Sequence, residues 1–317
     1  MSGASTLLGR CGGPLILSFH RIGPTPDPAS AYLDTRVGSV PAAFLDETLR
    51  LLRSSGYRFV ALPELVEQMA FKPRLAAVTF DDGLRDIVDI ATAVLRAHKC
   101  PATAFVITST VNATQLLWQH RLYLAWQRAS DGIRLRALDM ALPTAAGRAD
   151  DLESLLSLVL RTGTPEILDG LSRRLAEAVG LDTALERQMC RQLYLCDRDI
   201  EHLENAQVSL GGHGHHHWRA SRVEPSALDR DLLECARVLS HLSRNQQADF
   251  GVPHGDLGND IMARARDAGF RHILDSAGIR GVGGGLAPRV WLWNDSDAAH
   301  ITLARLWLKQ MRASLHS

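Results

Sequence analysis

Short apolar runs and longer stretches with an apolar residue at every third or fourth position alternate along the first third of the chain. "LILSF", "YRFVAL", "LAAVTF" and "PATAFVI" read as buried strands. "PAAFLDETLRLLRSSG", "LPELVEQMA" and "RDIVDIATAVLRAHKC" read as the amphipathic helices between them. Such alternation predicts βαβ units and a parallel sheet. Pro41, Pro63 and Pro101 stand at element boundaries, where proline is tolerated.

From about Leu116 to Leu203 the pattern becomes helix after helix, as in "EILDGLSRRLAEAVG" and "DTALERQMCRQLYLC". This stretch is expected to be a helical insertion rooted at the carboxyl-end rim, beside the mouth of the barrel. The barrel exterior or a second subunit would cover its apolar faces. Alternation then resumes with "AQVSLGGHG", "SALDRDLLECARVLSHLSR", "ADFGVPHG", "NDIMARARDAGF" and "RHILDS". The expected organisation is one α/β barrel-like domain over 12–310, with halves of about 12–115 and 204–310 around the insertion at about 116–203.

Composition narrows the class without changing this picture. The 317 residues are 46% hydrophobic and 22% charged, enough to bury a large core. Lys plus Arg and Asp plus Glu number 35 each, so no net field favours nucleic acid or an anionic membrane. The early run "PLILSF" is too short for a signal-peptide core, no run is long enough to span a bilayer, and the five cysteines form no CxxC pair. The expected location is the cytoplasm, with the inner face of the membrane as a further place of work.

Two clusters carry the chemistry. "LAAVTF" runs into Asp81, Asp82 and Gly83, and carboxyl ends of strands are where α/β folds gather ligands. An N-cap accounts for one aspartate. Two adjacent carboxylates call for a cation between them. "GGHGHHHWRAS" places four histidines in five positions. His213 with His217, or His213 with His216, can present two imidazoles to one ion, and an Asp/His/His set leaves room for water.

Together "VTFDDG", "GGHGHHH" and "FGVPHG" resemble, in order, the three main motifs of the polysaccharide deacetylase family (NodB-homology domain, carbohydrate esterase family 4). "LSFHRIG" and "CPATAFVI" resemble that family's opening strand and a later one. The resemblance implies a distorted (β/α) barrel and a hydrolase acting on non-peptide C–N bonds. It implies removal of an N-acyl group, N-acetyl above all, from an amino sugar of a glycan or glycan precursor. It makes Asp82, His213 and His217 ligands of one divalent metal, for which zinc suits best and cobalt, nickel or manganese can replace it. It makes Asp81 the general base, and backbone around Pro253 and His254 part of the oxyanion site. A same-fold hydrolase of another C–N bond, or a non-catalytic metal- or glycan-binding barrel, is the alternative.

The sequence departs from the family in three places. Gly212 and Gly214 stand where the family's SHTxxH has serine and threonine. No arginine precedes Pro253, which leaves Arg289 in "APRVWL" to orient the base or to be a surface arginine. No LxH segment supplies a general acid, for which His254, His272 and His300 remain by elimination. His20, ending the first strand, faces the same rim, and Trp118, Trp291 and Trp293 offer flat faces for a sugar ring. Oligomeric state and sugar identity are not legible.

Overall fold

The computed structural model describes residues 13–23, 38–70, 74–141, 151–243, 249–280 and 286–292. Five strands form the centre of the molecule: β1 (Leu15–Phe19), β5 (Leu75–Phe80), β6 (Ala102–Val106), β7 (Val208–Gly212) and β8 (Asp249–Gly251). All pair in parallel, and nearly every residue in them is buried. That is why these segments read as unbroken apolar runs: a parallel sheet is covered on both faces. The short strand β4 (Arg58–Phe59) pairs with β5, and β2 (Arg21–Ile22) pairs with β3 (Ser39–Val40) in a small separate sheet.

Three more strands extend the sheet: β9 (His272–Leu274), β10 (Gly278–Arg280) and β11 (Leu286–Trp291). The order is β10-β11-β1-β5-β6-β7-β8-β9, and β9 and β10, at its two ends, come together to give a nearly closed, distorted barrel. β10 runs antiparallel to β11, a pairing the alternating pattern did not foretell.

The helices on the outside match the amphipathic stretches. α1 (Ala42–Ser54), α2 (Leu62–Gln68), α3 (Thr92–Ala97), α10 (Pro225–Leu242) and α11 (Ile261–Asp267) connect successive strands. A wide π-turn, Ile87–Ala91, precedes α3. Among the described residues no helix is long and apolar enough to cross a membrane.

Between β6 and β7 lie α4 (Trp118–Arg128), α5 (Asp131–Ala141), α6 (Leu152–Thr162), α7 (Pro165–Ala178), α8 (Thr183–Leu193) and α9 (Asp197–Asn205). Their starts are marked in the sequence: Asp151 and Asp182 accept N-cap bonds from Ser154 and Leu185, and Pro165 opens α7. Their apolar faces turn mainly on one another. Leu122, Leu138, Leu156, Leu171 and Met189 form a second core, which Leu84 and Ile107 of the barrel rim join. The expected partner, barrel exterior or second subunit, is thus largely unnecessary. α9 differs, because its Ile200 and Leu203 belong to the barrel's own core.

His272 sits at the amino-terminal start of β9, where its Nδ1 lies 2.7 Å from an Asp249 carboxylate oxygen. This hydrogen bond raises its pKa above the ordinary 6.5 despite partial burial, with Glu67 adding to the effect and Arg271 opposing it. A raised histidine pKa stabilises the fold fully below the unfolded value, and the contribution is lost as pH rises through the folded value. The melting temperature of His272→Asn relative to wild type should therefore show its largest deficit below about pH 6.5, shrinking towards pH 8. A deficit independent of pH would assign His272 a packing role only.

Candidate active site

Asp81 and Asp82 follow β5 directly, His213 follows β7, His20 follows β1, and Pro253 and His254 follow β8, so all reach one rim of the barrel. The polypeptide turns sharply there. Asp82 has φ 68° and Gly83 φ 66°, and a Cβ on Gly83 would stand 2.9 Å from the Val106 backbone, which explains the glycine after the two aspartates.

The ligand atoms of Asp82, His213 and His217 lie within 4.8 Å of one another, and all three side chains are buried. Asp82 Oδ1 stands 3.6 Å from His213 Nε2 and 3.5 Å from His217 Nε2, too far for hydrogen bonds, and it has no hydrogen-bond partner. Burial, and next the charge of Asp81, push the Asp82 carboxyl up to about 8. Burial holds both imidazoles neutral, lowering His213 and lowering His217 well below the ordinary value. An orphaned carboxylate oxygen facing two neutral imidazole nitrogens is a donor set that fits a divalent ion, whose charge would remove the penalty on Asp82.

Both rings are aimed from behind. His213 Nδ1 donates to the Gly251 carbonyl at 2.7 Å, and His217 Nδ1 donates to Gln119 Oε1 at 3.1 Å, which would leave each Nε2 as a lone-pair donor to an ion. Gln119 belongs to α4, whose start is pinned: Leu117 N–H donates to the Tyr194 hydroxyl at 3.0 Å and Arg121 pairs with Glu186 at 2.8 Å. Nothing in the sequence marked Gln119.

The other two histidines have other work. Asp231 of α10 accepts from the His215 N–H at 2.8 Å and from the His216 N–H at 3.1 Å, and binds His216 Nδ1 at 2.7 Å. Thr108 Oγ1 meets His215 Nδ1 at 2.9 Å. The departures at Gly212 and Gly214 follow from packing. A Cβ at position 212 would come within 2.9 Å of Cys235 Sγ, and Gly214 has φ 73° with Asp231 close by.

Arg289, on β11, forms a buried ion pair with Asp81 Oδ1 and lies 4.2 Å over the Trp291 ring. Arg289 thus reaches Asp81 from β11, a strand outside the third motif. Burial alone would raise Asp81, but Arg289, with His213 and His20 adding to it, brings the carboxyl below its usual range. Asp81 Oδ2 has no hydrogen-bond partner and stands 4.0 Å from His213 Nε2.

His20 stacks on Trp291 with ring centroids 5.3 Å apart and lines the cleft, held down to about 4 chiefly by burial. His254 packs 4.3 Å from His217, and its Nε2 donates to the His217 carbonyl at 3.2 Å. Burial first, then Arg219, holds it down to about 3. Pro253 has no N–H and the N–H groups of Gly255 and Asp256 close the local turn, so the backbone donor left to this segment is that of His254. Trp118 and Trp291 line the cleft with Tyr123 and Leu160. His272 is not among the lining residues, and His300 and Trp293 lie outside the described residues.

A barrel with this strand order and this rim has the fold of the polysaccharide deacetylases. Residues 68–135, which include both aspartates, match the family model described as Polysaccharide deacetylase. The structure is similar to that of IcaB from Ammonifex degensii, with 16% identity, TM-score 0.57, and 93% and 97% of the two chains covered. It is similar to a de-N-acetylase from Aggregatibacter actinomycetemcomitans, with 13% identity, TM-score 0.56, and 92% and 98% covered. The Streptococcus pyogenes deacetylase PplD in complex with acetate matches at 13% identity and TM-score 0.55, with 90% and 95% covered. No curated protein matches the chain. The class that the motifs implied, hydrolases acting on C–N bonds, is the class of the matched family and of these neighbours.

Proposed function

We propose that this protein is a metal-dependent hydrolase that removes an N-acetyl group from an amino sugar of a glycan or glycan precursor. The observation that carries this reading is the orphaned Asp82 Oδ1 between two buried imidazole nitrogens, with the unpartnered Asp81 Oδ2 next to it. Asp82, His213 and His217 would hold the ion, zinc by preference, with cobalt, nickel or manganese as substitutes. A divalent ion in such a set polarises an acyl carbonyl and acidifies water.

The remaining work falls to the chain's own groups. Asp81 accepts a proton at Oδ2 while Arg289 fixes Oδ1 and keeps the carboxyl ionised. The His254 N–H, which closes no local turn, would be the backbone donor to developing charge on the acyl oxygen. Trp118, Tyr123 and Trp291 offer flat apolar faces to a pyranose. The PplD structure, which holds acetate, supports an acetyl leaving product.

Acetate release from N-acetylglucosamine oligomers should occur, stop with a chelator and return with added zinc or cobalt. A metal-replete protein that releases none, from oligomers or from monosaccharide derivatives, overturns the reading.

Gln119→Ala should weaken metal binding by about ten- to a hundredfold, the usual effect of losing a group that orients a metal-ligating histidine. Gln119→Glu should restore much of it, because a carboxylate still accepts from His217 Nδ1. Competition with a fluorescent zinc chelator measures this. Equal affinity in Gln119→Ala and wild type would show that His217 keeps its orientation without that bond.

A further inference from the structure

Arg219 follows the histidine loop by two residues, is half-buried, and lines the same cleft as Asp81, Asp82 and His254. The residues just after it are tied to the loop that carries His254, Ser221 Oγ to Asp256 and Ala220 O to Asn259, so its backbone lies on that side of the cleft. Among the described residues it forms no ion pair. The Asp256 carboxylate, which accepts from Ser221 Oγ at 2.6 Å and from Gly258 N–H at 3.0 Å, makes no ion pair with it.

Charge balance strengthens the point. Arg289 neutralises Asp81. A divalent ion more than neutralises Asp82, and histidines that ligate such an ion are neutral. The loaded cleft is therefore net positive before substrate enters even with Asp256 counted, and the Arg219 guanidinium has no carboxylate in ion-pair reach. A neutral glycan leaves that cation without a partner. An oxyanion satisfies it, and the field draws such a ligand in.

We infer that the substrate is an anionic amino sugar, whose phosphate or carboxylate pairs with Arg219 on the His254 side of the cleft while the ring lies against the tryptophans. This rests on the deacetylase reading above and adds the substrate's charge to it. Phosphate and carboxylate share the chemistry that a guanidinium recognises, so the test separates them.

The experiment compares kcat/KM of the zinc-loaded protein on the methyl glycoside of N-acetylglucosamine, on N-acetylglucosamine 1-phosphate, and on N-acetylmuramic acid, in wild type, Arg219→Gln and Arg219→Lys. At least one anionic substrate should be preferred over the neutral one by about tenfold or more, the value of one charged hydrogen-bonded contact. The preferred member tells phosphate from carboxylate. The ratio of charged to neutral kcat/KM should fall about tenfold in Arg219→Gln, chiefly through KM, and only partly in Arg219→Lys. It should also shrink between low salt and 0.5 M salt.

A wild-type ratio near one, or a ratio unchanged in Arg219→Gln, overturns the inference while leaving deacetylation intact. If none of the three sugars is hydrolysed, the deacetylase reading is decided by the oligomer assay and the anion site is judged by binding alone. Inorganic phosphate should then raise the melting temperature of wild type and raise that of Arg219→Gln less. Equal protection of both overturns the inference.

Discussion

Asp81→Asn is expected to keep its metal and lose turnover by a factor of about a hundred to ten thousand, the usual range for removal of a general base. The amide is isosteric but cannot take the proton that Oδ2 receives. The change has a second, separable effect. Arg289 is buried against Asp81, and removing one partner of a buried ion pair typically costs a few kcal/mol, so the melting temperature should fall as well. Metal content, kcat and melting temperature must therefore be measured on the same preparation. Activity within a few-fold of wild type, in a folded and metal-loaded variant, would give the proton to another group.

Loss of metal is the second large effect. His213→Ala and His217→Ala should each abolish stoichiometric metal by elemental analysis, and with it all measurable acetate release. His216→Ala should retain both, because its ring is engaged with the Asp231 carboxylate and stacks on Trp218 at 4.5 Å, turned away from the triad. Metal lost from His216→Ala and kept by His217→Ala would mean that the loop is held differently in solution.

The spacing of the histidines alone could not make this choice. His216 and His217 are adjacent in the sequence, and what separates them is a backbone reversal, with His217 at φ 58°, together with an aspartate sixteen positions beyond His215 on another helix. Neither has a local signature. The strands and helices, by contrast, were legible because burial on both faces of a parallel sheet writes a continuous apolar run, and a one-sided helix writes a 3.6 period. "LAAVTF" and "PATAFVI" needed no partner to be read. β10 did, since three residues whose role is to pair antiparallel with β11 leave no pattern of their own.

Arg289 shows the same limit from the other side. As one basic residue in "APRVWL" it was equally a surface group. It becomes the partner of Asp81 only because β11 pairs with β1, and β1 with β5, which brings together residues two strands apart in the sheet and 208 positions apart in the chain. Gln119 and Arg219 are of this kind too. Polar residues that act through a neighbour's ring or a ligand's charge obey no spacing rule within the chain.

The second core, built by α4 to α8 around Leu122, Leu156 and Leu171, bears on how the protein would fail under stress. A group of helices that satisfies most of its own apolar surface can open as a cooperative unit at a lower free energy than the whole molecule. Such an opening leaves the strands and their backbone bonds in place, yet it withdraws Gln119 from His217 and Trp118 and Tyr123 from the cleft wall. Amide protons in α4 to α8 would then exchange faster than those of β5 and β7. In warm or mildly denaturing solution the protein would release its ion and stop turning over as circular dichroism lost the helical signal of α4 to α8, while the amides of the central strands stayed protected.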